Sequence, residues 1–313
     1  MSRWVTRGVA LAAIAVVVWV LITAWPVVVH GHPLYAALLV LTVVGAGVAF
    51  VRSLQQRPAR TGWRRVLWAV GVVAAVGWIA VMAWLKPFTA EEPALTAMKS
   101  DAQVTVTETP TAIVLAPASG EPATGLLFQP GAKVDARAYA AVLRPAAEAG
   151  DLVVIPKQPL GVAFLASGAL STARTAHPEI TEWVVGGHSL GGTVASSTAL
   201  ADAGQNEAAP VAGLLLYASY PAGDARAIAA DVMSISGTED GLATPADIEA
   251  SRANLPASSD FVVIDGAGHA YFGDYGPQPG DGTPTIDHTD ARAQISAATV
   301  ELLDRVRVKA AGV

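Results

Sequence analysis

Cysteine is absent from this 313-residue chain, which excludes a disulfide framework, a thiolate nucleophile and any Cys-ligated metal. The absence leaves an extracytoplasmic location open, because a chain of this length can rely on its core. Acidic residues are missing from residues 1–90, which carry eight Lys and Arg and not one Asp or Glu. The remaining 223 residues hold twelve basic and all 26 acidic side chains, a balance of −14 with His taken as neutral. So acidic a portion argues against nucleic acid as a partner, since phosphate neutralisation needs a basic face.

Charge of either sign is also missing from three apolar runs, residues 9–29, 34–51 and 66–85. Each is near the roughly 20 residues that cross about 30 Å of hydrocarbon as a helix. They are apolar all round, unlike a core helix with one polar stripe, and Trp4, Trp25, Tyr35, Trp63 and Trp84 stand near their ends, as interfacial aromatics do. The first run could instead be the core of a signal peptide behind Arg3 and Arg7. Its length, the lack of a small-x-small cleavage site and the two further runs weigh against that.

Basic residues in the connections set an expected orientation. Arg3 and Arg7 precede the first run, the loop HGHP has no Lys or Arg, and the second loop carries Arg52, Arg57, Arg60, Arg64 and Arg65. The positive-inside rule puts the N-terminus and second loop in the cytoplasm and delivers the rest of the chain outside. His30 and His32 in HGH could hold a metal, but with no third ligand nearby a polar turn is the better reading.

Residues 91–102 read as a polar linker. Beyond it, 103–107 and 112–116 look like an opening hairpin. The runs GLLFQ (125–129), DLVVIP (151–156), EWVVGG (182–187), VAGLLLYAS (211–219), DVMSISG (231–237) and DFVVIDG (260–266) follow. They are continuous rather than alternating, as strands buried on both faces of a parallel sheet are. Helices are expected at 135–149, 167–176, 190–203, 245–254 and 289–309. The fold class is therefore α/β, a mostly parallel sheet flanked by helices and preceded by three transmembrane helices. Ligand sites in such sheets lie beyond the carboxyl ends of the strands.

One such end carries GGHSLGG. Gly187-His188-Ser189-Leu190-Gly191 is G-x-S-x-G between a buried strand and a helix, the setting in which the serine becomes an exposed nucleophile and its neighbours must lack bulk. The helix N-terminus also aims N–H groups at charge developing beside Ser189. A serine needs a base and an orienting acid. Downstream, Asp240 in SGTEDGLATP and His269 in GAGHAYFGDYG each follow a strand, in the order Ser, Asp, His. Glu239 competes for the acid, and Asp240 has a turn-former reading beside Gly241. His188, His177 and His288 compete for the base; position after the last core strand favours His269.

These residues, with FQPGAKVD (128–135), LVVIPKQPLGVAFL (152–165) and ASYP (218–221), resemble the alpha/beta-hydrolase superfamily. The likeness is greatest to its fold-5, dienelactone-hydrolase-like group and covers nearly all of 103–313. It implies Ser189, Asp240 and His269 as a catalytic triad, and an oxyanion hole from the backbone N–H of Leu190 plus Gly131 or Ala132, since Pro130 has no N–H. Lys133 could attract an anionic substrate or be an ordinary surface lysine. Many members insert a cap where this chain has about a dozen residues, 219–230, so no cap is expected. Asp274, Asp281 and Asp287 in the long loop after His269 could suggest calcium, but without EF-hand-like spacing a solvated loop is favoured.

The expected function is a membrane-anchored serine hydrolase, without cofactor or metal, acting outside the cytoplasm on a small or lipid-like carboxylic ester or thioester. An acyltransferase on the same site is chemically close. The competing reading is a non-catalytic membrane protein whose hydrolase-like domain binds a partner or lipid.

Overall fold

The computed structural model describes residues 2–55, 62–202 and 209–310 and divides into two compact units, Met1–Pro87 and Phe88–Val313. Arg57 and Arg60, used above for orientation, lie outside the described residues, as does position 203.

The first unit is three helices, α1 (Ser2–His30), α2 (Pro33–Leu54) and α3 (Trp63–Trp84). All three are long and apolar enough to cross a membrane. Helix α1 breaks its geometry at Ala24 (φ −143°), two residues before Pro26, where the proline ring crowds the preceding turn and supplies no N–H. Few polar groups tie the helices together: Arg7 Nε donates to Ser53 Oγ at 3.1 Å, Trp78 Nε1 to Thr42 Oγ1 at 2.8 Å and the Tyr35 hydroxyl to the Met82 carbonyl at 2.9 Å. Most remaining outward side chains are apolar and exposed, among them Ile22, Val40 and Val73. His32 Nδ1 accepts the Leu34 N–H at 3.2 Å and caps α2.

The second unit is built on eight strands: β1 (Val104–Glu108), β2 (Ala112–Pro117), β3 (Thr124–Gln129), β4 (Leu152–Pro156), β5 (Glu182–His188), β6 (Val211–Tyr217), β7 (Asp231–Gly237) and β8 (Asp260–Ile264). They form one sheet in the order β1-β2-β4-β3-β5-β6-β7-β8, with β1 and β2 antiparallel and the six from β4 to β8 parallel. Strands β3, β4 and the body of β5 are buried at every position, which is why they read as unbroken apolar runs. Helices α4 (Ala94–Ala97), α5 (Ala140–Glu148), α6 (Ala169–Ala176), α7 (Leu190–Asp202), α8 (Pro245–Ser251) and α9 (His288–Ala310) complete the unit. One core layer joins Val142, Leu143, Leu302 and Leu303 of α5 and α9 to Leu126, Val153 and Leu215. The other packs Leu170, Ala173, Ala195 and Ala199 of α6 and α7 on Leu127, Val185 and Leu214. Each face of the sheet is thus closed by helices.

One segment departs from expectation. The stretch 91–102 is folded onto the second unit: Glu91 N–H donates to the Asp274 carbonyl at 2.8 Å, and Ala94 and Ala97 of α4 are buried. Its polar composition reflects local capping, such as Glu92 Oε2 accepting the Thr96 N–H at 3.0 Å, and Asp101 Oδ1 accepting the Gln103 N–H at 2.8 Å. Between β6 and β7 the chain crosses in bends and turns with no helix and no cap.

Candidate functional site

Strands β3, β5, β6, β7 and β8 lie side by side, and the residues just past their carboxyl ends supply the candidate site. Ser189 leaves β5 with φ 52° and enters α7 directly. Its N–H donates to the Tyr217 carbonyl at 3.0 Å, and its carbonyl accepts the Gly192 N–H at 3.0 Å and the Ser219 hydroxyl at 2.6 Å. These bonds hold a non-glycine residue in the left-handed region, a strain that isolated turns avoid. The turn is also too tight for side chains on either flank. A Cβ on Gly187 would lie 2.4 Å from the Gly191 carbonyl carbon, and one on Gly191 would lie 2.1 Å from the Gln129 carbonyl oxygen.

Asp240 and His269 meet across loops 29 residues apart in sequence: His269 Nδ1 lies 2.8 Å from Asp240 Oδ2, and both side chains are buried. Asp240 Oδ1 accepts the N–H groups of Leu242 (2.8 Å) and Ala243 (2.7 Å), so the turn-former reading and the acid reading are satisfied by different oxygens of one carboxylate. With Nδ1–H directed at the carboxylate, the remaining imidazole nitrogen is an acceptor. That nitrogen, His269 Nε2, is buried and has no hydrogen-bond partner. A buried imidazole with one nitrogen fixed and the other unsatisfied is poised to take a proton from a group brought to it.

The rival histidines are occupied elsewhere. His177 lies against Glu179, 3.1 Å away. His288 stacks on Tyr271 with ring centroids 4.3 Å apart, and burial lowers its pKa. His188, next to Ser189 in the chain, is wholly buried, its ring 4.5 Å from that of His269. Burial, reinforced by His269, holds its pKa well below the ordinary value, so it is neutral. Its Nδ1 lies 2.8 Å from the Tyr139 hydroxyl, and that hydroxyl accepts the Gly131 N–H at 2.9 Å. Burial raises the pKa of Tyr139, which therefore keeps its proton and donates a hydrogen bond to His188 Nδ1. Nothing in the spacing of DARAYAAVL marked this tyrosine. Its partners are 8 and 49 residues away.

The same bond corrects one expectation. The Gly131 N–H is committed to Tyr139 and is not free to receive a developing anion. The N–H groups of Ala132 and Leu190 donate to no other group among the described residues, which leaves Ala132 and Leu190 as the two candidate donors. Lys133 turns its ammonium over the Phe88 ring, 5.7 Å from the centroid, rather than standing as a plain surface lysine.

The acidic residues of the long loop each have partners within the protein. Among the described residues no group of three or more His, Asp or Glu could hold an ion. Asp274 is buried against Arg292, with Arg292 Nε donating at 3.1 Å. Asp287 Oδ1 accepts the Thr289 N–H at 2.7 Å at the start of α9. Asp281 has a more pointed role: its Oδ1 accepts the N–H of His269 (2.9 Å) and of Gly241 (3.2 Å), and its Oδ2 accepts that of Ala270 (2.8 Å). One carboxylate thereby ties the loop carrying His269 to the loop carrying Asp240. In sequence Asp281 stands between Gly280 and Gly282 and reads only as a turn.

A model of the alpha/beta hydrolase family matches residues 125–293, more than half of the chain, and the chain belongs to that family. Among solved structures it is similar to carboxyl esterase 2 from Tuber melanosporum (11% identity, 70% of this chain and 91% of that one, TM-score 0.50). It is also similar to a dienelactone hydrolase from Anabaena variabilis (16% identity, 65% of this chain and 98% of that one, TM-score 0.48). A predicted CIB-like hydrolase from Thermoplasma acidophilum stands at 14% identity, 64% and 98% coverage and TM-score 0.49. At these identities the likeness extends to the fold. No curated protein sequence matches the chain.

Proposed function

We propose that this protein is a membrane-tethered serine hydrolase of the dienelactone-hydrolase-like group, cleaving a carboxylic ester or thioester through an acyl-Ser189 intermediate. The observation that carries the proposal is the buried His269–Asp240 pair, 2.8 Å apart with Nε2 unpartnered; it is supported by a serine at φ 52° on the strand-to-helix turn that follows β5. Ser189 Oγ attacks the carbonyl carbon while His269 Nε2 takes its proton; Asp240 holds the imidazole by Nδ1 and stabilises the imidazolium. The carbonyl oxygen becomes an oxyanion facing the N–H groups of Leu190 and Ala132. Collapse expels the alcohol or thiol, which leaves with the proton from His269. Water, activated by the same nitrogen, then releases the acid; an alcohol in its place would make the protein an acyltransferase. Nothing in this sequence of steps calls for a cofactor.

A fluorophosphonate probe applied to the folded full-length protein should label Ser189, and Ser189→Ala should abolish labelling. Folded protein that stays unlabelled would favour the non-catalytic binding role instead. The arginines around α1 and between α2 and α3 support an external active site. A C-terminal reporter should then be active only when exported, and activity restricted to the cytoplasm would refute that placement.

Asp281 gives a further expectation. Asp281→Ala frees the His269 and Gly241 N–H groups and lets the two loops separate, so kcat should fall on the order of 10²-fold, the usual cost of about 1 Å of misplacement. Asp281→Asn keeps one acceptor oxygen and should recover part of that loss. Equal rates for wild type and Asp281→Ala, both folded by thermal melting, would show the tie to be dispensable.

A further inference from the structure

We infer that the loop from Pro159 to Ala166 is a membrane-contact lip, seated in the surface of the bilayer that α3 enters, and that the site beside it draws an acyl ester from that leaflet. The inference rests on the reading of Trp63–Trp84 as a membrane span. The first observation is chain length. Helix α3 ends at Trp84, and Phe88 is already part of the hydrolase unit: its N–H donates to the Lys133 carbonyl at 2.7 Å and its carbonyl accepts the Asp135 N–H at 3.0 Å. Its ring also lies 5.8 Å from that of Tyr275. Four residues reach at most about 14 Å, so Phe88 stays within that distance of the end of the span, and the strip of backbone after β3 lies one hydrogen-bonded spacing, about 5 Å, beyond Phe88.

The second observation is what adjoins this strip. The Lys133 N–H donates to the Gly161 carbonyl at 2.7 Å, which sets Phe88, Lys133 and Gly161 side by side, about 10 Å across at ordinary hydrogen-bonded strand spacing. The contact is close, since a Cβ on Gly161 would lie 2.6 Å from the Lys133 Cα. Lys133 and Leu160 take φ 60° and 57° to permit it. The loop is fixed to the candidate oxyanion strip at two more points, Gln158 Nε2 to the Pro130 carbonyl (2.9 Å) and Gln129 Nε2 to the Ala166 carbonyl (3.2 Å).

The third observation is what the loop presents. Phe164 and Leu165 are 57% and 55% exposed, the only two exposed large hydrophobic residues adjacent in sequence among the described residues of the hydrolase unit. A Phe-Leu pair left in water on a rigid loop, within a short tether of a membrane helix, has the chemistry of an interfacial anchor.

The absence of cysteine makes the test direct. Full-length Leu165→Cys, labelled with an environment-sensitive fluorophore and reconstituted in phosphatidylcholine–phosphatidylglycerol vesicles, should be quenched roughly twofold or more by lipid carrying a nitroxide near the headgroup, as expected of groups in the interfacial layer. Val263→Cys, on the exposed edge strand β8, should be unaffected. Val73→Cys, midway along α3 and probed with lipid carrying a nitroxide deep in its acyl chain instead, reports the span itself. Quenching at Val73 without quenching at Leu165 overturns the lip; no quenching at Val73 overturns the span and the lip with it. In the same vesicles, the double substitution Phe164→Ser and Leu165→Ser should lower turnover of a long-chain ester in the leaflet about tenfold relative to turnover of a soluble short-chain ester. Equal changes for both esters overturn the lipid-borne substrate. Failure of fluorophosphonate labelling would strike the hydrolase reading instead and leave the quenching result standing.

Discussion

Ser189→Ala should reduce kcat/KM for a p-nitrophenyl ester by about 10⁴-fold or more, and adding His269→Ala should cost almost nothing further. Members of a nucleophile–base unit fail together: once either is gone, what remains is binding and oxyanion stabilisation, and further losses do not multiply. The substitution removes one oxygen without altering the strained turn, whose backbone bonds to Tyr217, Gly192 and Ser219 do not involve the Ser189 side chain. Folding should therefore be unaffected, and steady-state kinetics in detergent with a thermal melt measures both. Retention of a tenth of wild-type activity would mean that Ser189 is not the nucleophile. Independent, multiplicative losses from the two substitutions would mean that His269 does not act on it.

Gly191→Ala should be among the most damaging single-methyl changes in the hydrolase unit. The new carbon would sit 2.1 Å from the Gln129 carbonyl oxygen and 2.5 Å from that of Pro130. Neither is a flexible side-chain end that could swing away; both belong to the strip that carries Ala132. Relief requires moving either β3 or α7, an overpacking cost of about 3 kcal/mol or more. Loss of folded protein, or a melting temperature lowered by several degrees, is expected, with activity falling further than stability because Ala132 and Leu190 are pushed apart. Gly45→Ala, on α2 with nothing within 4 Å of the added carbon, is the control and should be neutral. A Gly191→Ala protein with wild-type melting and activity would show that this turn is looser than its spacing implies.

The sheet was readable in the chain because its strands are buried on both faces. GLLFQ and EWVVGG have no polar side to hide, and their continuity is the signature of the parallel arrangement. The opening hairpin and the helices after β3, β4 and β5 followed from ordinary periodicity and turn residues. Asp240 and His269 could be found because each lies a few residues past a strand end, and strand ends converge in this architecture. Tyr139, the commitment of Gly131 and the tie through Asp281 were not readable, because each depends on contacts between segments that only the folded sheet brings together. Residues 91–102 were misread for a related reason: polar side chains that cap and turn a chain against a domain look, in sequence, like those that leave it free in water.

The backbone at the site has a consequence for how this protein can change. Among the described residues four non-glycine residues have positive φ: Lys133, Leu160, Ser189 and Ala218. They follow β3, β4, β5 and β6, four neighbouring strands of the sheet, so the strain is gathered in one arc at the carboxyl edge. Each holds roughly 1–3 kcal/mol, supplied by the packed layers beneath. Glycine at Lys133, Leu160 or Ala218 would release strain and stabilise the fold, yet it would slacken the frame that aims Ser189 and the N–H groups around it. Selection for heat resistance and selection for turnover therefore pull in opposite directions along this arc, and robustness gained without loss of activity has to come from elsewhere in the sheet and its helices.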